Sequence, residues 1–182
     1  TGTPASLKYP EGIDHEGTKL YEAHNNNNRV RQIGITSGGV TTLAGSGNAT
    51  VASGTGTEES CKKPYGITSD GTNLYVADTE NHKIRKIVIS SGVVTTLAGS
   101  SDGFADHTTG TSAKFNYPYG ITSDGTNLYV ADKENHKIRK IVISSGVVTT
   151  FAGSTSGFQD ATGIAAKFNK PKGITTDGAN IY

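Results

Sequence analysis

The chain has 182 residues with 17 basic and 16 acidic side chains, a net charge of +1, so no overall charge draws it to nucleic acid or anionic lipid. A single cysteine excludes an internal disulfide, a CxxC redox pair and a CxxCH haem site, and 24 glycines announce many turns. No apolar run approaches the ~20 residues that a membrane helix needs, and no stretch has the make-up of a signal peptide.

In chain order, residues 1–9 resemble the linker segments found further on, and a first unit opens at Pro10. The phrase Gly-Ile begins at Gly12 and returns at Gly66, Gly120 and Gly173, a spacing of 54, 54 and 53 residues. The units are 10–63, 64–117 and 118–170, with a fourth begun at 171–182. Residues 64–100 and 118–154 are copies of one 37-residue text, differing only at Thr79/Lys133 and Leu97/Phe151.

Each unit reads as four short strands. In unit two these are YGITSD, NLYVAD, KIRKIVIS and VVTTLAG. They are β-branched and aromatic, with turns at Asp70–Gly71, at the TENH segment (79–82) and at Ser90–Ser91–Gly92. Helical periodicity is missing. Four strands repeated at this period predict an all-β propeller, each unit one blade buried between its neighbours.

The words LYVADTENHKIRKI (74–87) and LYVADKENHKIRKI (128–141), preceded by GITSDGTNLYVAD, resemble the NHL repeat. Unit one departs from the pattern: LYEAHNNNNRVRQI puts His24 where Asp78 and Asp132 stand, and Asn28 where His82 and His136 stand. A WD40 or Kelch reading lacks the tryptophans those repeats use. The resemblance implies a six-bladed ring, of which these units are about three blades and a remnant. The remaining blades are expected in the same polypeptide or in a second copy, because three blades cannot close.

Asp78, Asn81, His82 and Arg85, with Asp132, Asn135, His136 and Arg139, form the blade motif and are expected to fix the turn between the second and third strands. Leu7, Cys61, Phe115 and Phe168 align as apolar plugs before each blade, which makes Cys61 a stand-in for Phe rather than a reactive thiol. The long segments between units fall on the same face as the TENH turns. Their Asp102, Phe104, Asp106, His107, Phe158 and Asp160 are candidate binding residues. Loop 100–114 is expected to serve binding and to be dispensable for folding.

Relatives of the family include lyases and lactonases with a metal in the central channel. The inner strands here begin at Glu11, Tyr65, Tyr119 and Lys172, of which only Glu11 is a ligand type. His15, His24 and His107 have no partner at ligand spacing, and no GxSxG, HExxH or P-loop is present. No catalytic residue, metal or cofactor is expected. Asp102 and Asp106 are a weak calcium pair beside the six to eight oxygens calcium takes. The sequence Asn48-Ala49-Thr50 is a glycosylation acceptor if the protein meets a glycosylating cell. The KIRK tetrads have acidic neighbours and no aromatic stacking platform, which argues against RNA. The Ser/Thr/Gly-rich repeats are similar to tandem arrays in secreted bacterial surface proteins. The expected function is a non-catalytic, extracellular or cell-surface scaffold that docks a protein or filament through its long-loop face. A channel-metal enzyme and a carbohydrate- or RNA-binding module are the alternatives.

Overall fold

A computed structural model describes residues 9–47, 54–55 and 61–182. The expected plug Leu7 and the acceptor Asn48 lie outside them.

Strands β1 (Pro10–Glu16), β2 (Lys19–His24), β3 (Arg29–Gly34) and β4 (Val40–Ala44) pair in sequence order as an antiparallel sheet. Next come β5 (Gly54–Thr55), β6 (Pro64–Ser69), β7 (Asn73–Asp78), β8 (Lys83–Val88) and β9 (Val93–Ala98). The third sheet is β10 (Pro118–Ser123), β11 (Asn127–Asp132), β12 (Lys137–Val142) and β13 (Val148–Ala152). The fourth unit opens as a hairpin, with the Thr175 and Tyr182 amides and carbonyls bonded to each other. The described helical segments are single 3-10 turns, as in Thr79–Asn81.

Strand alternation explains the apolar run Leu74–Ala77. Successive side chains leave opposite faces of a strand, and here both faces are buried. Leu74 and Val76 join Tyr21, Ala23, Val30 and Ala44 of the first sheet. Tyr75 and Ala77 join Ile121, Leu128, Val130 and Ile141 of the third. Phe115 enters this second core and is wholly buried. Cys61 is buried and forms no disulfide, while Phe168 is half-buried against Ile138 and Ile174.

The inner strands β1, β6 and β10 lie side by side, and glycine permits it. A Cβ on Gly66 would stand 2.5 Å from Tyr119 O, and one on Gly120 2.3 Å from Lys172 O. The Gly120 amide also donates to Lys172 O at 2.9 Å. Successive blades are thus joined backbone to backbone along the inner rim.

The connecting segments have a structural role that their sequence hides. The backbone of His107 exchanges two hydrogen bonds with Val148 of β13, at 3.0 and 2.9 Å. In the same way β5, from the preceding linker, pairs with β9. The linkers before blades two and three therefore cover the outer edges of those blades, which would otherwise present unpaired N–H and C=O groups. Loop 100–114 is part of the fold of blade three. That corrects its reading as dispensable.

Candidate binding site at the inner rim

The blade motif divides its work. Asp78, wholly buried, accepts from the Lys62 amide (2.6 Å) and from both Asn81 Nδ2 contacts (3.0 and 2.9 Å). Asp132 takes the Asn116 amide (2.7 Å) and Asn135 Nδ2 (2.8 Å). Burial pushes the Asp78 carboxyl up to about 6, against the pull of these donors and of Arg85. Buried Arg85 donates to Thr96 Oγ1 at 2.7 Å. Buried Arg139 donates to Asp132 Oδ2 (2.7 Å), Lys114 O (2.9 Å), Ala105 O (2.8 Å) and Asp106 Oδ1 (2.6 Å).

His82 and His136 close the turn through their backbone and reach the next blade through their rings. Each sits in the left-handed region at φ 57°, closing its 3-10 turn. Nδ1 of His82 accepts from the Tyr117 amide (3.3 Å), and Nδ1 of His136 from the Lys170 amide (3.1 Å). In blade one Asn28 Oδ1 accepts from the Lys63 amide at 3.0 Å. The three donors Lys63, Tyr117 and Lys170 are themselves left-handed and each precedes the proline that opens the next unit.

The candidate loop residues are largely held by the scaffold. Asp106 is bound by Arg139 and by the amide and hydroxyl of Thr150. Phe104 lies under Lys137 Nζ and Arg139 Cζ, 4.7 and 4.9 Å from its centroid. His107 Nδ1 accepts from the Thr109 amide. Asp102 bridges in parallel to Phe115. Phe158 is 89% exposed and Asp160 is exposed, and among the described residues neither has the lysine, arginine and threonine contacts that hold Phe104 and Asp106. Among the described residues, no group of three or more His, Cys, Asp or Glu side chains is arranged to hold a metal ion.

One cavity lies at the inner rim. It measures about 330 Å³ and is lined by residues near the start of β1, β6 and β10 and by the opening of unit four, among them Glu11, Tyr65, Tyr119 and Lys172. Tyr65 and Tyr119 stack with centroids 3.9 Å apart and planes at 26°. The ammonium groups of Lys133 and Lys172 stand 5.4 and 5.7 Å from the Tyr119 centroid. Burial, a hydrogen bond with Tyr65 and the charges of Tyr65 and Glu11 raise the Tyr119 phenol, which keeps its proton at neutral pH. The sequence reading found no aromatic platform. The stacked pair corrects it, since residues 54 apart become neighbours only once blades are set side by side. Lys133 was likewise missed, although its departure from Thr79 is visible in the repeat.

These sheets, in sequential antiparallel order and packed face to face around inner strands, define a segment of a β-propeller. No protein-family model matches the chain. The NHL repeat-containing protein 2 of Bos taurus is 33% identical over 165 residues, covering 81% of this chain and 22% of that protein. A protein of unknown function from Bacteroides thetaiotaomicron has 26% identity and a TM-score of 0.73, over 92% of this chain and 42% of its own. An auxiliary nutrient binding protein from the same organism has 24% identity and a TM-score of 0.70, over 91% and 42%. The chain belongs to the NHL-repeat β-propellers. It spans about a fifth of the length of the curated relative. Among the described residues no helix is long and apolar enough to cross a membrane.

Proposed function

We infer that this is a non-catalytic binding segment of an extracellular or cell-surface NHL propeller, which docks a protein partner through the long-loop face and the inner rim. One observation carries the reading. The acidic, basic and imidazole side chains of the blade motif and of Asp106, namely Asp78, Asp132, Arg139, His82, His136 and Asp106, are engaged in holding turns, linkers and blades. The rim cavity instead offers tyrosine, lysine, glycine and isoleucine with the single carboxylate of Glu11, a lining suited to contact. A second kind of partner fits the edge of blade one. Ile13 is 60% exposed, whereas its counterparts Ile67 and Ile121 are buried in blade-to-blade cores, and another blade is the surface that matches it.

The test has two arms. A membrane-impermeant biotin reagent, applied to intact cells that make the full-length protein, is expected to label it; protection until lysis counts against an extracellular site. Replacing Tyr65 and Tyr119 together by Ala is expected to abolish attachment of the purified protein to those cells and to preserve its β spectrum. Turnover of a lactone substrate, lost in the same variant, would make the protein an enzyme instead.

A further inference from the structure

Two departures from the repeat meet at one aromatic ring. The first is Lys133. Its counterpart Thr79 is buried and donates its hydroxyl to Pro118 O of the next blade at 2.6 Å. Asn25 of blade one reaches Pro64 O with its amide. Lys133 gives up this blade-to-blade bond, and its ammonium turns to the rim, beside Tyr119 and 6.0 Å from the Tyr117 centroid. The second departure is Lys172. It occupies the position of Tyr65 and Tyr119, directly after the proline that opens each inner strand. Its ammonium stands beside the same Tyr119 ring.

The fold requires neither lysine, because the other blades do without them. Two ammonium groups gathered at one ring also repel each other. Glu134 pairs with Lys133 at 3.1 Å, but it is shared with Lys170 at 2.8 Å. Lys172 makes no ion pair among the described residues; Glu11, on β1, lines the same cavity and its charge reaches Tyr119, so the two ammonium groups are set against one lining carboxylate. We propose that the Tyr119 rim is an oxyanion subsite, in which Lys133 and Lys172 take the carboxylate or phosphate of a ligand entering the inner-rim cavity. The proposal rests on reading the rim as the binding site, and it names the chemistry recognised there.

The experiment titrates the isotope-labelled chain with inorganic phosphate and, separately, with a tetraglutamate peptide. Saturable shifts are expected at the Lys133 and Lys172 side chains and at the Tyr119 ring. Lys133→Thr and Lys172→Tyr each install the residue another blade carries there, so the fold is kept. Each is expected to weaken binding about five- to tenfold. Added salt weakens it further. Tighter binding of the peptide than of phosphate assigns the site to an acidic segment of a partner; equal affinity assigns it to a small anion. Absence of saturable shifts with both probes, or unchanged affinity in both folded variants, overturns the proposal. Loss of cell attachment on Tyr65→Ala alongside full attachment of Lys133→Thr would remove the anion and leave the binding face standing.

Discussion

The backbone N–H of Tyr117 donates to Nδ1 of His82 across the boundary between blades two and three, at 3.3 Å, and the two rings meet edge to face with centroids 4.9 Å apart. Asn28 makes the corresponding bond from blade one. Asparagine also tolerates the left-handed backbone that His82 adopts. His82→Asn, which keeps the acceptor and loses only the ring contact, is therefore expected to cost less than about 1 kcal/mol, whereas His82→Ala should cost about 1–2 kcal/mol. Urea unfolding midpoints of the two variants are the check. Equal losses would show that the acceptor atom is not what matters.

The same bond sets a pH dependence. Burial lowers the His82 imidazole below its usual value, partly offset by Asp102 and Glu80. A depressed folded value means that the stabilising neutral form is complete above the unfolded pKa of about 6.5. Stability is then lost as pH falls below that value towards the folded one. His82→Asn should flatten this part of a melting-temperature profile between pH 7 and 5.

The units, the four strands and their turns were legible in the sequence because strand alternation and turn chemistry are local, and the 54-residue period repeats them. The rim was not. Tyr65 and Tyr119 carry no mark of their stacking, which depends on how closely two glycine-bearing inner strands approach. The linkers misled for a related reason. His107 pairs with Val148 through its backbone alone, which no side-chain pattern announces. The left-handed Lys63, Tyr117 and Lys170 gave no signal either, since none is glycine or asparagine.

Close approach along the inner rim makes Gly66 and Gly173 an informative pair. Gly66 has no positive φ, so its need is for space alone: a methyl would meet the Tyr119 carbonyl oxygen at 2.5 Å, and backbone cannot step aside cheaply. Nothing lies within 4 Å of a Cβ on Gly173. Gly66→Ala is expected to cost about 2 kcal/mol or more, and Gly173→Ala nothing measurable in this chain. Comparable midpoints for the two would mean that the inner strands are not tightly apposed.

On the face of the tight turns, Asp124 accepts the amides of Thr126 (2.8 Å) and Asn127 (2.6 Å), and also Tyr129 Oη at 3.1 Å. These bonds hold its carboxyl down at about 2, although burial works the other way. The sign is that of a depressed acid: the contribution is complete above the unfolded value of about 3.8 and is lost as pH falls through about 2. Asp124→Asn should lower stability at pH 7 and shrink the acid-induced loss between pH 4 and 2. An unchanged acid slope in the variant would assign that loss to other carboxylates.

Arg139 is the joint between linker and blade. It is fully buried, and its four acceptors come from two places: Asp132 on β11, and Ala105, Asp106 and Lys114 on the linker. Removing it leaves Asp132 buried without its cation, so Arg139→Ala should cost about 3–5 kcal/mol. Asp106 is partly exposed, and Asp132 remains to hold Arg139 when it is lost. Asp106→Ala should therefore cost less, about 1–2 kcal/mol, and act locally. The His107 and Val148 amides, which close the outer edge of blade three, should then exchange with solvent much faster, while amides of β11 keep their protection. Asp160 supplies the contrast. It aligns with Asp106 in the next linker but is exposed, and Asp160→Ala should leave this chain's stability unchanged. Hydrogen exchange on the three variants decides the matter. Unaltered exchange at His107 and Val148 in Asp106→Ala would mean that the linker holds the edge through its backbone alone.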